Sequence, residues 1–130
     1  MIGSQLQTAI FAALTAATAL AGGRVYDRVP PDPVFPYITI GDDQVIDHGN
    51  SCDDGWEVFA DIHLWSRPVT GSKVEAKDLA AAVVGRLKAL LTVSGFTVII
   101  AALETSRTFR DPDGKTEHAV LTFRYVLQPA

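Results

Sequence analysis

From Gly55 to Arg67 apolar and polar residues alternate over more than ten positions, with two exceptions, and the stretch reads as one long strand. Trp56, Val58, Ala60, Ile62 and Leu64 fall on one side of an extended chain, and Glu57, Asp61 and His63 on the other, the period of two expected of a sheet with one buried face. Phe59 and Trp65 break the rule by lying on the polar side, where a large aromatic group implies a second contact surface.

Upstream, Ser4 and Gln7 have capping-box spacing and Gly22-Gly23 supply a stop, so residues 5–21 are predicted to be a helix. Its apolar arc is Leu6, Ile10, Ala13, Leu14, Ala17, Leu20 and Ala21; Thr8, Ala12, Thr15 and Ala19 lie opposite. Residues 1–23 contain no charged side chain, which fits either an Ala/Thr-rich surface or a helix whose outer side another subunit covers. Arg24 to Pro36 holds four of the seven prolines and reads as an extended connection. A short strand is expected over Tyr37–Ile40, ending at Gly41, before an acidic connection containing Asp42, Asp43, Asp47, Asp53 and Asp54 in which Val45-Ile46 can extend the pairing.

Beyond the long strand, Ser72 and Glu75 make a second capping box ahead of a helix over residues 73–91, with Leu79, Ala80, Val83, Val84, Leu87, Leu90 and Leu91 on its apolar arc. Phe96–Leu103 is apolar on both faces, as expected of a central strand or of one whose outer face meets a partner, and it can continue to Phe109. Asp111-Pro112-Asp113-Gly114 suits a type I turn with glycine in the left-handed region, and the returning strand covers residues 116–127. Strands of this length exceed the usual five or six residues, so the hairpin is predicted to project. The order helix, two strands, helix, two strands predicts an α+β fold: a largely antiparallel four-stranded sheet with both helices on one face and a long C-terminal hairpin. At 130 residues this is a single domain, 1–130.

Charge and composition narrow the function. A net charge of -4 argues against a nucleic-acid-binding surface. The single cysteine, Cys52, has no partner for an intrachain disulfide. The run Leu6–Ala21 ends on a cleavage-like Ala19-Leu20-Ala21, but no Lys or Arg precedes it, so a helix is preferred to a signal peptide. It is also too short and too polar to span a bilayer, and no membrane role is expected.

The best candidate for catalysis is Asp47-His48-Gly49-Asn50-Ser51-Cys52-Asp53-Asp54. Its spacing matches no metal site, and a Cys52–His48 nucleophile pair lacks an orienting third group, so an acidic turn is the preferred reading. His63 and His118 lie on predicted strands, where they are read as surface histidines facing Glu57, Asp61 or Glu117. No phosphate-binding loop, dinucleotide fingerprint or nucleophile elbow occurs, so the expectation is no enzyme, no catalytic residue, no metal and no cofactor.

Three segments together carry a family resemblance: Gly23-Arg24-Val25-Tyr26-Asp27-Arg28-Val29-Pro30, Phe35-Pro36-Tyr37-Ile38-Thr39-Ile40-Gly41, and Trp65-Ser66-Arg67 ahead of a helix opening with Glu75-Ala76. In this order the chain resembles the tail-completion or tail-terminator proteins of long-tailed, siphovirus-like bacteriophages, prophages and gene transfer agents. The resemblance implies a structural virion protein that forms a ring, typically a hexamer, at the head-proximal end of the tail. Such a ring terminates the tail tube and joins it to the head connector or stopper protein, and DNA passes through its lumen without specific binding. It also implies assembly in the bacterial host cytoplasm, with the tail tube protein, the connector and further copies of the chain as partners. A head-completion or neck protein of the same assembly is the alternative, and a small metal- or cysteine-dependent enzyme using His48 and Cys52 is a more distant one. Exposed aromatics and the projecting hairpin nominate Phe59, Trp65, Arg67, Arg107, Phe109 and Arg110 as subunit or partner contacts, with Phe11 on the uncharged helix.

Overall fold

The long alternating stretch becomes the central strand of a five-stranded sheet in the computed structural model, which describes residues 2–16, 20–89 and 91–130. In chain order the elements are α1 (Gly3–Thr15), a 3-10 turn (Leu20–Gly23), β1 (Val25–Tyr26), β2 (Tyr37–Asp47), β3 (Trp56–Ser66), α2 (Val74–Leu87), β4 (Phe96–Arg110) and β5 (Glu117–Pro129). The strands lie side by side as β1-β2-β3-β5-β4. All neighbours are antiparallel except β1, which runs parallel to β2. Ala17, Thr18, Ala19 and Leu90, which the sequence placed in helical patterns, lie outside the described residues.

The α+β class and the two helices agree with the sequence reading, but the sheet has five strands where four were expected. The extra strand sits in the segment read as a proline-rich connection. Its prolines begin only at Pro30, which leaves Val25 and Tyr26 free to pair with Ile38 and Thr39. The Ile38 amide donates to the Arg24 carbonyl at 2.9 Å, and Arg24 Nε donates to the Pro36 carbonyl at 2.9 Å, fixing the two segments together. Strand β2 does not stop at Gly41 either. A bulge between Ile40 and Asp43 carries it on to Asp47, so Asp42, Asp43 and Asp47 are strand residues and the loop shrinks to residues 48–55.

Both helices are shorter than predicted, and both depart from the expected capping. No side chain caps the start of α1. At its other end Arg86 of α2 donates to the carbonyls of Ala13, at 2.9 Å, and Ala16, at 3.0 Å, and so satisfies last-turn acceptors well before Gly22-Gly23. At α2 the Ser72 hydroxyl accepts the Val74 amide at 3.1 Å, but Glu75 does not reach back. Its Oε1 instead accepts the Ser66 hydroxyl at 2.6 Å, fastening the end of β3 to the first turn of α2.

One core fills the space between helices and sheet. Leu6, Ile10 and Leu14 of α1 and Ala80, Val83 and Leu87 of α2 meet Val58, Ile62 and Leu64 of β3 and Leu121, Phe123, Tyr125 and Leu127 of β5. Burying each large apolar side chain contributes about 1.5 to 3 kcal/mol. Tyr125 is fully buried, its hydroxyl donates to the Leu87 carbonyl at 2.8 Å, and burial pushes its phenol pKa up. The hairpin does not project, contrary to expectation. Strand β5 pairs with β3 from Trp56↔Leu127 to Ser66↔Glu117 while it pairs with β4 on its other flank, which leaves β4 as a sheet edge of 15 residues.

Candidate interaction surface

The helices cover one sheet face, so the side chains of opposite parity form a second surface that is organised in rows across the strands. One row reads Tyr37, Trp65, His118, Phe109, and the next reads Thr39, His63, Val120, Arg107. Further along lie Gln44, Phe59, Arg124, Ala102, and then Ile46, Glu57, Val126, Ile100.

At the end near the β4–β5 turn this surface is a closed aromatic and histidine cluster. Trp65 stacks on His118 with centroids 3.7 Å apart and on Tyr37 at 6.0 Å, and its indole N–H donates to Thr39 Oγ1 at 3.2 Å. Phe109 closes over His118 at 4.8 Å, and Phe35 lies 5.1 Å from Tyr37. His63 and His118, read from sequence as separate surface residues, face each other with Nδ1 and Nε2 2.8 Å apart. His118 Nδ1 also lies 3.6 Å from an Asp111 oxygen. Burial, and then His63, hold the His118 pKa below its usual range, against an opposing pull from Asp111. Burial likewise raises the Tyr37 pKa. Gly41 makes the cluster possible, because a Cβ there would lie 2.7 Å from the His63 ring and 3.0 Å from the Asp61 carbonyl.

The turn is tied back to the body. The Asp111-Pro112-Asp113-Gly114 turn forms as predicted, with the Gly114 amide donating to the Asp111 carbonyl at 3.0 Å and Gly114 at a φ of 75°. Arg67 donates to Thr116 Oγ1 at 2.9 Å, lies 3.5 Å from Asp113, and covers the Phe35 ring at 4.2 Å. Asp113 has its pKa held down to about 2 by the Thr116 hydroxyl, the Lys115 and Thr116 amides and then Arg67. Arg110 donates to Glu117 Oε1 at 2.7 Å and to the Gly71 carbonyl at 2.9 Å. Glu117 is fully buried, and its second oxygen, Oε2, has no partner among the described residues.

The nominated contact residues therefore divide. Trp65, Arg67, Phe109 and Arg110 are all engaged within the chain. Arg107 lies over Phe109 at 5.4 Å on the outermost strand, and Phe59 sits half-buried in mid-face. Phe11 is 46% exposed beside Ser4, Gln7, Thr8, Asp27 and Ile40. The middle of the face is laced by polar pairs, with Thr122 donating to Asp61 at 2.6 Å and Arg124 to Glu57 at 2.6 Å. The far row was not nominated, yet Ile46, Ile99 and Ile100 are 37%, 48% and 39% exposed there. The signal for it was the doubly apolar run Phe96–Leu103, which the sequence could not assign to an edge.

The 48–55 loop is better held than its composition suggested. Asp47 Oδ1 accepts the Gly49 amide at 3.0 Å, and Asn50 Oδ1 accepts the amides of Cys52 and Asp53, each at 2.8 Å. Cys52 is exposed. Among the described residues no group of three or more His, Cys, Asp or Glu side chains is placed to hold a metal, and no helix is long and apolar enough to cross a membrane.

A family model described as "Tail completion protein gp17" matches residues 8–128. The tail completion protein gp17 of Bacillus phage SPP1 is 27% identical over 97 residues, which is 74% of this chain and 70% of that protein. A chain in the solved virion of a native gene transfer agent particle is 26% identical and superposes with a TM-score of 0.87 over 98% of this chain and 97% of that one. The solved SPP1 gp17 structure, at 24% identity, has a TM-score of 0.62 over 92% of this chain and 86% of its own, a likeness of fold.

Proposed function

Because the chain belongs to the tail completion protein gp17 family, we propose that it is a structural virion protein that completes the tail of a phage or gene transfer agent particle. It assembles as a ring, most simply a hexamer, at the head-proximal end of the tail tube. There it stops tube growth and presents a docking surface to the head connector, and the genome crosses its lumen. It acts without catalysis, metal or cofactor. The observation that carries this reading is the near full-length superposition on a chain of a gene transfer agent virion. The net charge of -4 supports it, since a ring of negative subunits lets DNA pass without gripping it. Of the nominated contact residues, Phe59, Arg107 and Phe11 are the ones the fold leaves most available, and they are proposed as contacts within the assembly.

The test is binding of purified chain to isolated tails and, separately, to filled heads, read by co-sedimentation and negative-stain microscopy. Caps at one end of the tails, with tubes that no longer elongate when tube protein is added, are the expected result. Binding to heads alone would make the chain a neck protein, and binding to neither would overturn both roles.

A further inference from the structure

The two edges of this sheet are unlike its faces, because over most of their length no strand among the described residues pairs with them. Among the described residues strand β4 pairs with β5 and, at Phe96 alone, with Val93, and the rest of its outer side is open. Among the described residues strand β2 is paired on its outer side at Ile38 and Thr39, where β1 lies, and residues 40–47 have no strand beside them there. Long uncovered edges are templates for another strand. Three antiparallel steps separate the two edges, so β4 runs antiparallel to β2, and a second copy placed alongside would offer its β4 to β2 in the sense that continues the sheet.

We infer that successive copies of this chain join edge to edge, the outer edge of β2 with β1 receiving β4 of the next copy, so that one sheet runs through the ring. The inference rests on the ring reading above and names its joint. The two ends of each row across the sheet are what meet in such a joint. Ile46 and Ile100 are the ends of one row, and both are exposed, as is Ile99 in the adjoining bulge. At the other end Tyr26, Thr39, His63, Val120 and Arg107 form one row, which brings Arg107 of the next copy beside Tyr26. A cation beside an aromatic ring and a pair of exposed isoleucines are thus matched at separate levels of the same pair of edges.

Strand β1 widens only part of its edge, and β4 is shaped to meet that step. The bulge between Leu103 and Thr105 falls in the row of Thr122 and Asp61, the level at which β2 itself bulges between Ile40 and Asp43 and at which β1 gives out. A bulge bends its strand, so the halves of β4 can follow β2 and β1 in turn. Glu104 comes near the level of Asp43, a like-charge contact that added salt screens. A head-to-tail joint between two different patches is the kind that closes into a ring.

The test uses the full chain with Cys52→Ser, to which Ile46→Cys and Ile100→Cys are added together or singly. Directly opposed strand residues lie about 4.5 to 5.5 Å apart at Cα, within disulfide reach. Mild oxidation on tail tubes is expected to give a ladder of covalent oligomers from the double variant and none from either single one. In parallel, Arg107→Ala and Tyr26→Ala should each weaken assembly roughly threefold, equivalent to about 0.7 kcal/mol, with the double variant losing little more than either alone. Rings seen by native mass spectrometry or microscopy that show neither cross-links nor coupling between Arg107 and Tyr26 would overturn the joint and leave the ring intact. Dimers cross-linked through Ile100→Cys alone would replace it with a symmetric β4 to β4 contact. The absence of any oligomer, in solution and on tubes, would overturn the ring and the joint with it.

Discussion

The uncovered sheet face has two ends that look alike in the sequence and behave in opposite ways. Both place large apolar side chains on the nominally polar side of long strands. At the Trp65 end, Tyr37, His63, His118 and Phe109 turn those side chains inward on one another, and nearly every polar group finds a partner within the chain. At the Ile100 end the row reaches both sheet edges, and its isoleucines have no second strand to lie against. An aromatic on a polar face can close a local cluster because a flat ring reaches across strands. A β-branched residue at an edge cannot, so it is the plainer residue that stays open.

Truncation separates the two ends most sharply. Trp65→Ala removes the stacks on Tyr37 and His118 and the bond to Thr39, and is expected to cost about 3 kcal/mol in urea-induced unfolding, the low end for Trp to Ala because the ring is only half-buried. A loss under about 1 kcal/mol would mean the cluster is decoration. Arg110→Ala comes next, at about 2 kcal/mol, because among the described residues it removes the one side-chain partner of a fully buried Glu117 whose other oxygen has none. Combining it with Glu117→Gln should recover part of that loss, since no buried charge then remains.

How much of this was legible follows from the range over which each signal acts. The long strand, the two helical arcs, the Asp111–Gly114 turn and the family resemblance of the 23–41 and 65–76 segments are carried by neighbouring residues, and all were readable. What was missed depends on partners far away in sequence. Strand β1 needs residues 38 and 39 to exist at all, α1 ends where Arg86 arrives from 70 residues away, and Glu75 leaves its expected capping role for Ser66. The misplacement of Trp65 is visible in the sequence, whereas its partners Tyr37, Thr39 and His118 lie far away in the chain and are not. The projecting hairpin failed for a related reason: strand length is local, but whether β3 runs alongside to the end is not.

A smaller effect comes from proton linkage and probes the closed end alone. The folded-state pKa of His118 is lowered, so below the ordinary value of 6.5 the unfolded chain takes up a proton that the folded chain resists. Stability is therefore whole above pH 6.5, declines as the pH falls through the window down to the depressed value, and levels off beneath it, by no more than one proton's worth of slope from this group. His63, at 2.8 Å, and Asp111, at 3.6 Å, are the titratable groups that reach the His118 ring, with Asp61, Glu57, Arg67, Glu104, Arg107, Arg110, Asp113, Lys115, Glu117 and Arg124 further off on the surrounding strands and turn. Unfolding midpoints measured from pH 7.5 to 5 should show the decline in the native chain and a flatter profile in His118→Gln. An equal decline in both would place the proton elsewhere.

The smallest expected effect on the isolated chain is at the open end. Ile100→Thr exchanges an exposed edge isoleucine for a residue of similar shape and good strand propensity, so the unfolding midpoint should move by less than about 0.5 kcal/mol. That quiet result is what gives the substitution its use, because a side chain that does nothing for the monomer is free to report on assembly. If Ile100→Thr leaves the fold untouched but lowers the fraction of capped tails, the two ends of the face have different jobs, one holding the chain and the other joining it to its neighbour. If it destabilises the monomer as Trp65→Ala does, the edge is already packed within the chain and the contrast between the ends collapses.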